Sequence, residues 1–137
     1  MSLRALPLIV IAFVLYNVVV LLGGQGPTAT LGTPIFQIPM ISKGTWIFTW
    51  GDFILLLTMI LLFIELLKST YTSTASLLDH GLSMLVFVIC LIEFIVVPQA
   101  ATSVFFLIMV ATLIDVVAGY TIGIRVARRD LNIGSDQ

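Results

Sequence analysis

Glu93 and Asp115 pose the first chemical question, because each stands inside a long apolar run. A charge at the centre of a membrane span costs about 2.5–3.5 kcal/mol, so an acid kept there has a partner, a bound proton or a task. Intramembrane carboxyls of this kind carry protons or cations in relays. Asn17, in the first apolar run, lies at a depth comparable to Glu93 and can donate a hydrogen bond to it. Asn17, Glu93 and Asp115 are therefore the candidate intramembrane polar site, with both acids held neutral or paired.

Asp52, Glu65, Asp79 and His80 complete the set from which a relay could be built. Each also has a plain structural reading. Thr49-Trp-Gly-Asp52 and Ser76-Leu-Leu-Asp79 both resemble a capping box, in which the acid binds free N–H groups at a helix start. Glu65 stands three residues before Lys68, the spacing of an ion pair on one helical face. His80, beside Asp79 at a span boundary, suits a hydrogen-bonded or snorkelling imidazole.

The chain holds no Gly-x-Ser-x-Gly, His-Glu-x-x-His, phosphate-binding glycine loop or Cys-x-x-Cys. With one His and one Cys it lacks the ligands for a haem pair or structural zinc. No catalytic residue, metal or cofactor is expected, and the chain is read as a non-enzyme.

The elements that must position these residues follow from composition. Sixty per cent of 137 residues are apolar and 9% charged, against about a quarter charged in a soluble domain. Crossing a hydrocarbon core of about 30 Å takes about 20 apolar residues. Four runs, at about 5–22, 50–67, 77–97 and 103–125, qualify or nearly so. The expected fold is an all-α membrane protein: a four-transmembrane-helix bundle in a single integral domain, with a candidate β-hairpin outside. Pro7 falls in the first turn of the first run, where its missing N–H is harmless. Gly23 and Gly24 make a poor signal-peptide cleavage site, so the run is expected to remain as an uncleaved helix. Pro98 stops the third run, and the short turn to residue 102 makes the last two helices antiparallel neighbours.

Orientation rests on the basic residues. Arg4, Lys68, Arg125, Arg128 and Arg129 fall on one side and Lys43 alone on the other, which places both termini in the cytoplasm. Residues 126–137 then form a cytoplasmic tail, and 23–49 an external segment. In that segment Phe36, Ile38 and Met40 alternate with Gln37 and Pro39, and Trp46, Phe48 and Trp50 alternate with Ile47 and Thr49, around a turn at Ser42-Lys43-Gly44. Such period-two patterning signals a hairpin, and its aromatic face suits the headgroup region. An irregular loop with an aromatic anchor is the alternative.

Ala111, Asp115, Gly119, Gly123 and Ala127 recur every four residues in the last run. Small residues at this interval let another helix approach closely, either within the bundle or from another chain. The stretch from Leu31 through Thr49-Trp-Gly-Asp52, Asp79-His80-Gly81 and Arg125-Val-Ala-Arg-Arg129 resembles small four-helix inner-membrane proteins of bacteria that have no established activity. The resemblance implies an architecture and an inner-membrane location, and carries over no binding residues. The helix-one glutamate of small multidrug exporters and the glycine-rich first helix of fluoride channels are both missing.

The function expected is that of a non-enzymatic membrane subunit or scaffold acting through helix contacts. Its partners would be the lipid bilayer and either another copy of the chain or a larger membrane complex. A small oligomeric proton- or cation-coupled transporter or channel is the alternative. Net charge of −1 and scattered basic residues argue against nucleic acid.

Overall fold

A computed structural model describes residues 6–70 and 76–135, apart from the side chains at 76, 77, 79, 126, 127, 130–133 and 135. The chain is mostly helical with one small sheet. In order it forms α1 (Val10–Gly23), α2 (Pro27–Leu31), β1 (Pro34–Pro39), β2 (Thr45–Thr49), α3 (Trp50–Ser69), α4 (Ser76–Val96), a 3₁₀ turn (Pro98–Ala100) and α5 (Ser103–Ser135).

Two helices, α3 and the Ser103–Arg125 part of α5, are long and apolar enough to cross a membrane. The other two expected spans are shorter by the same measure. α1 has 14 residues, about 21 Å of helical rise, and the apolar part of α4 runs from His80 to Val96. α1 becomes regular at Val10 rather than near residue 5. Pro7 precedes it, and the chain enters by tight turns in which the Val10 and Ile11 N–H groups donate to the Pro7 and Leu8 carbonyls at 3.2 and 3.0 Å. Arg4 lies outside the described residues.

Local signals set most of the other boundaries. α1 closes on Gly24, whose φ of 70° is the left-handed cap that glycine takes without penalty. α2 packs so closely on this end that a Cβ added at Gly23 would lie 2.8 Å from that of Thr30. α3 starts with both halves of the expected capping box: Asp52 N–H donates to Thr49 Oγ1 at 3.2 Å and Thr49 N–H to Asp52 Oδ2 at 3.0 Å. The matching box at Ser76–Asp79 lies outside the described side chains. α4 ends at Val96, two residues before Pro98. Thr102 then caps α5 by accepting from Phe105 N–H at 3.2 Å.

α5 departs from expectation at its far end. Residues 126–135, read from the sequence as a tail, continue the helix. Arg and Ala are good helix formers, and no proline interrupts the segment.

The segment 23–49 is likewise more structured than a loop. β1 and β2 pair antiparallel, with Phe36 opposite Phe48 and Ile38 opposite Trp46, and the register shifts between Pro34 and Phe36. Lys43 takes a left-handed φ of 69° in the turn, where Met40 N–H donates to the Gly44 carbonyl at 2.8 Å. One face therefore gathers Phe36, Trp46 and Phe48, with the two phenyl rings stacked at 4.8 Å and the indole edge-on to both. A bond from Trp50 N–H to the Thr33 carbonyl, 3.2 Å, closes the base of the hairpin onto α3.

α5 packs against both α3 and α4, and α1 packs on α3. The core is concentrated toward the hairpin end, around Tyr16, Val20, Ile54, Cys90, Phe105 and Ile108. Phe105 is its hub, with ring contacts to Phe13, Tyr16 and Phe94 at 6.1, 5.0 and 6.3 Å. Outside this core the helices present Ile, Leu, Val and Phe to their surroundings along most of their length; Leu22, for example, is 81% exposed.

Candidate functional site

Most of the polar side chains collect in two groups at different depths, with largely apolar packing between them. The upper group forms where α1 meets the turn between α4 and α5. Asn17 Nδ2 donates to the Phe13 carbonyl at 3.0 Å and to Glu93 Oε2 at 3.4 Å, which is the pairing expected from depth alone. Tyr16, the residue before Asn17 in α1, is 1% exposed. Its hydroxyl donates to the Gln99 carbonyl at 2.7 Å and lies 2.7 Å from Thr102 Oγ1. Tyr16 was not singled out in the sequence. The signal available was a phenol in an apolar run, which when buried takes a partner for its O–H.

The lower group lies toward the opposite end. Asp115 is 4% exposed, with Ser83 and Thr112 also buried. The His80 ring packs edge-on to Tyr120 at 5.5 Å, and a Cβ added at Gly119 would lie 3.6 Å from His80 Cε1 and 3.3 Å from Ser69 Oγ. Because α4 and α5 run antiparallel with His80 level with Gly119 and Tyr120, Asp115 falls near residue 84 of α4. That is about nine residues, or roughly 13 Å of helical rise, from Glu93. Asn17 and Glu93 are thus brought together, while Asp115 belongs to another layer. Cys90 and Ile108, neither of them accessible, lie in the interval with the buried hydroxyls of Thr58 and, one turn above Asp115, Thr112, which donate to the Ile54 and Met109 carbonyls of their own helices at 2.7 and 2.6 Å.

Glu65 differs most from its expected role. The ion pair with Lys68 is present at 3.4 Å, and Glu65 is buried, 7% exposed. Its Oε1 also accepts from the Leu8 backbone N–H, and Lys68 Nζ donates to the Leu6 carbonyl at 3.4 Å. α1 has no side-chain cap of its own, with Ile9 at the N-cap position. A carboxylate on α3 therefore binds a free N–H at the positive end of α1, doing from 57 residues away what a local Ser or Asp does elsewhere.

The remaining expected positions serve structure. Asp52 is exposed and held in its capping box. The stripe of small residues faces inward: Ala111, Gly119 and Gly123 are buried, and Gly119 sits against α3 and α4 of the same chain. The side chains of Asp79 and Ala127 lie outside the described residues. Among the described residues no three His, Cys, Asp or Glu side chains converge as a metal site. The relay set of Asp52, Glu65 and His80 forms no continuous hydrogen-bonded row among those residues. No family model, curated protein or solved structure matches this chain.

Proposed function

We propose that this chain is a four-span bundle of the bacterial inner membrane, with both termini cytoplasmic, acting as a non-enzymatic scaffold or subunit. The observation that carries this reading is the use of its buried polar groups. Asn17 pairs with Glu93, Tyr16 ties α1 to the turn before α5, and Glu65 holds the start of α1. Between the depths of the upper and the lower acid the core is largely apolar, with Cys90 and Ile108 inaccessible. A proton route needs hydrogen-bonding groups in sequence, and the buried hydroxyls at these depths, Thr58 and Thr112, are each committed to a carbonyl of their own helix, Ile54 at 2.7 Å and Met109 at 2.6 Å.

The four-span arrangement draws on further support. α4 from Ser76 has 21 residues, about 31 Å of rise, which matches the hydrocarbon core. The wide apolar exterior is what lipid stabilises and water does not. The five-to-one distribution of basic residues orients the bundle.

Reconstituted vesicles carrying a pH gradient test the function. The scaffold reading expects no protein-dependent proton or sodium flux, from the wild type or from Glu93→Gln. A gradient-driven flux abolished by Glu93→Gln or Asp115→Asn would replace it with a coupled transporter. Reporter fusions after Lys68 and Gln137 are expected in the cytoplasm, and one after Lys43 outside; any other pattern overturns the four spans.

A further inference from the structure

α5 does not end where its apolar stretch ends. It continues as helix from Arg125 to Ser135, about 15 Å beyond the apolar part by helical rise. At this boundary Arg125, Arg128 and Arg129 are all exposed. Their i, i+3, i+4 spacing places three guanidinium groups on one face. Among the described residues none of the three makes an ion pair.

The direction of that face matters as much as its charge. Gly119 and Gly123 turn inward, and at 3.6 residues per turn the three arginines fall on the opposite side of the helix. Directly along that outer side lie Ile114, Val117 and Thr121, all exposed. The same face thus passes from apolar to strongly basic within two turns. A lipid presents the complementary gradient, from acyl chain to anionic headgroup. Guanidinium also matches phosphate in shape, since its planar fork donates two hydrogen bonds to two oxygens.

We infer that the outer face of α5 at Arg125, Arg128 and Arg129 is a binding site for the phosphate headgroup of an anionic phospholipid. This rests on the membrane reading above, which puts these residues at the cytoplasmic headgroup level. Nucleic acid fits poorly, because three arginines on a chain of net charge −1 make no extended basic stripe. The site selects lipid by charge, so phosphatidylglycerol is retained over phosphatidylcholine, and each arginine contributes about fivefold, the factor equivalent to about 1 kcal/mol for a basic residue near an anionic surface.

The full chain reconstituted in nanodiscs of phosphatidylcholine with a minor fraction of phosphatidylglycerol provides the test. Native mass spectrometry reads the ratio of the two lipids that stay with the protein. The wild type is expected to retain phosphatidylglycerol well above its bulk share. Each single Arg→Gln change should lower that excess by about fivefold, limited by the bulk share, which the triple variant should reach. Lys43→Gln, on the other side, should leave the excess unchanged. Wild-type retention at the bulk share, a triple variant that behaves as wild type, or an equal loss in Lys43→Gln would each overturn the site. Carbonate extraction of vesicles carrying the same proteins separates the two readings: protein that stays inserted without lipid enrichment refutes the lipid site alone, whereas protein released by carbonate refutes the membrane spans and the site with them.

Discussion

Glu65→Ala is expected to lower unfolding stability by about 3 kcal/mol, the largest loss from removing any single polar side chain described above. The carboxylate is 7% exposed and holds both the Leu8 N–H and the Lys68 ammonium. Alanine would leave a donor without its acceptor at the start of α1, where Pro7 and Ile9 supply no substitute cap. Glu65→Gln keeps an oxygen for the Leu8 N–H and gives up only the ion pair, so it should cost about 1 kcal/mol or less. The midpoint of unfolding in mixed micelles titrated with sodium dodecyl sulfate measures both. Equal losses from the two variants would show that charge, rather than the contact with Leu8, is what matters.

Gly119→Leu should be at least as damaging, with a cost of about 3 kcal/mol and separation of α5 from its neighbours. The added side chain has no room, since its first carbon would already meet Ser69 Oγ at 3.3 Å and His80 Cε1 at 3.6 Å. Gly119→Ala is expected to cost less than about 1 kcal/mol, because the Ser69 hydroxyl is the end of a rotatable side chain and can swing away. The same titration measures the losses, and light scattering in detergent measures particle size. A Gly119→Leu protein of wild-type stability but altered size would mean that the stripe meets a second chain instead.

What could be foreseen from the sequence followed the range of the interactions. Thr49 and Asp52 are three residues apart, so their capping box was visible in the letters, as was the stop before Pro98. The hairpin was visible too, because alternation of aromatic and polar residues around Lys43 needs no knowledge of the rest of the chain. The pairing of Asn17 with Glu93 spans 76 residues, yet it was accessible because each residue's depth can be counted from a helix end.

The same counting separates Asp115 from that pair. Asp115 lies 12 residues from the start of α5, while Glu93 lies three from the end of α4. The two acids share a chemistry but not a depth. Glu65 and Tyr16 were beyond reach for another reason. Their partners, the Leu8 N–H and the Gln99 carbonyl, are backbone groups that every sequence possesses. Which of them is left over for a distant side chain depends on how helices dock. The continuation of α5 past Arg125 is not legible in the composition, because a change to polar residues marks the end of an apolar environment and not the end of a helix.

The hairpin bears on how the protein can be observed. Its two tryptophans, Trp46 on β2 and Trp50 at the first position of α3, both stand at the same end of the molecule, and no indole occurs elsewhere in the chain. Trp46 is in contact with Phe36 and Phe48, and Trp50 lies edge-on to Phe53 at 6.0 Å. Intrinsic fluorescence therefore reports on one plane of the protein alone. Quenchers attached at graded positions along a lipid tail would measure the height of that plane without any label, and the emission would stay silent about events at the arginine end.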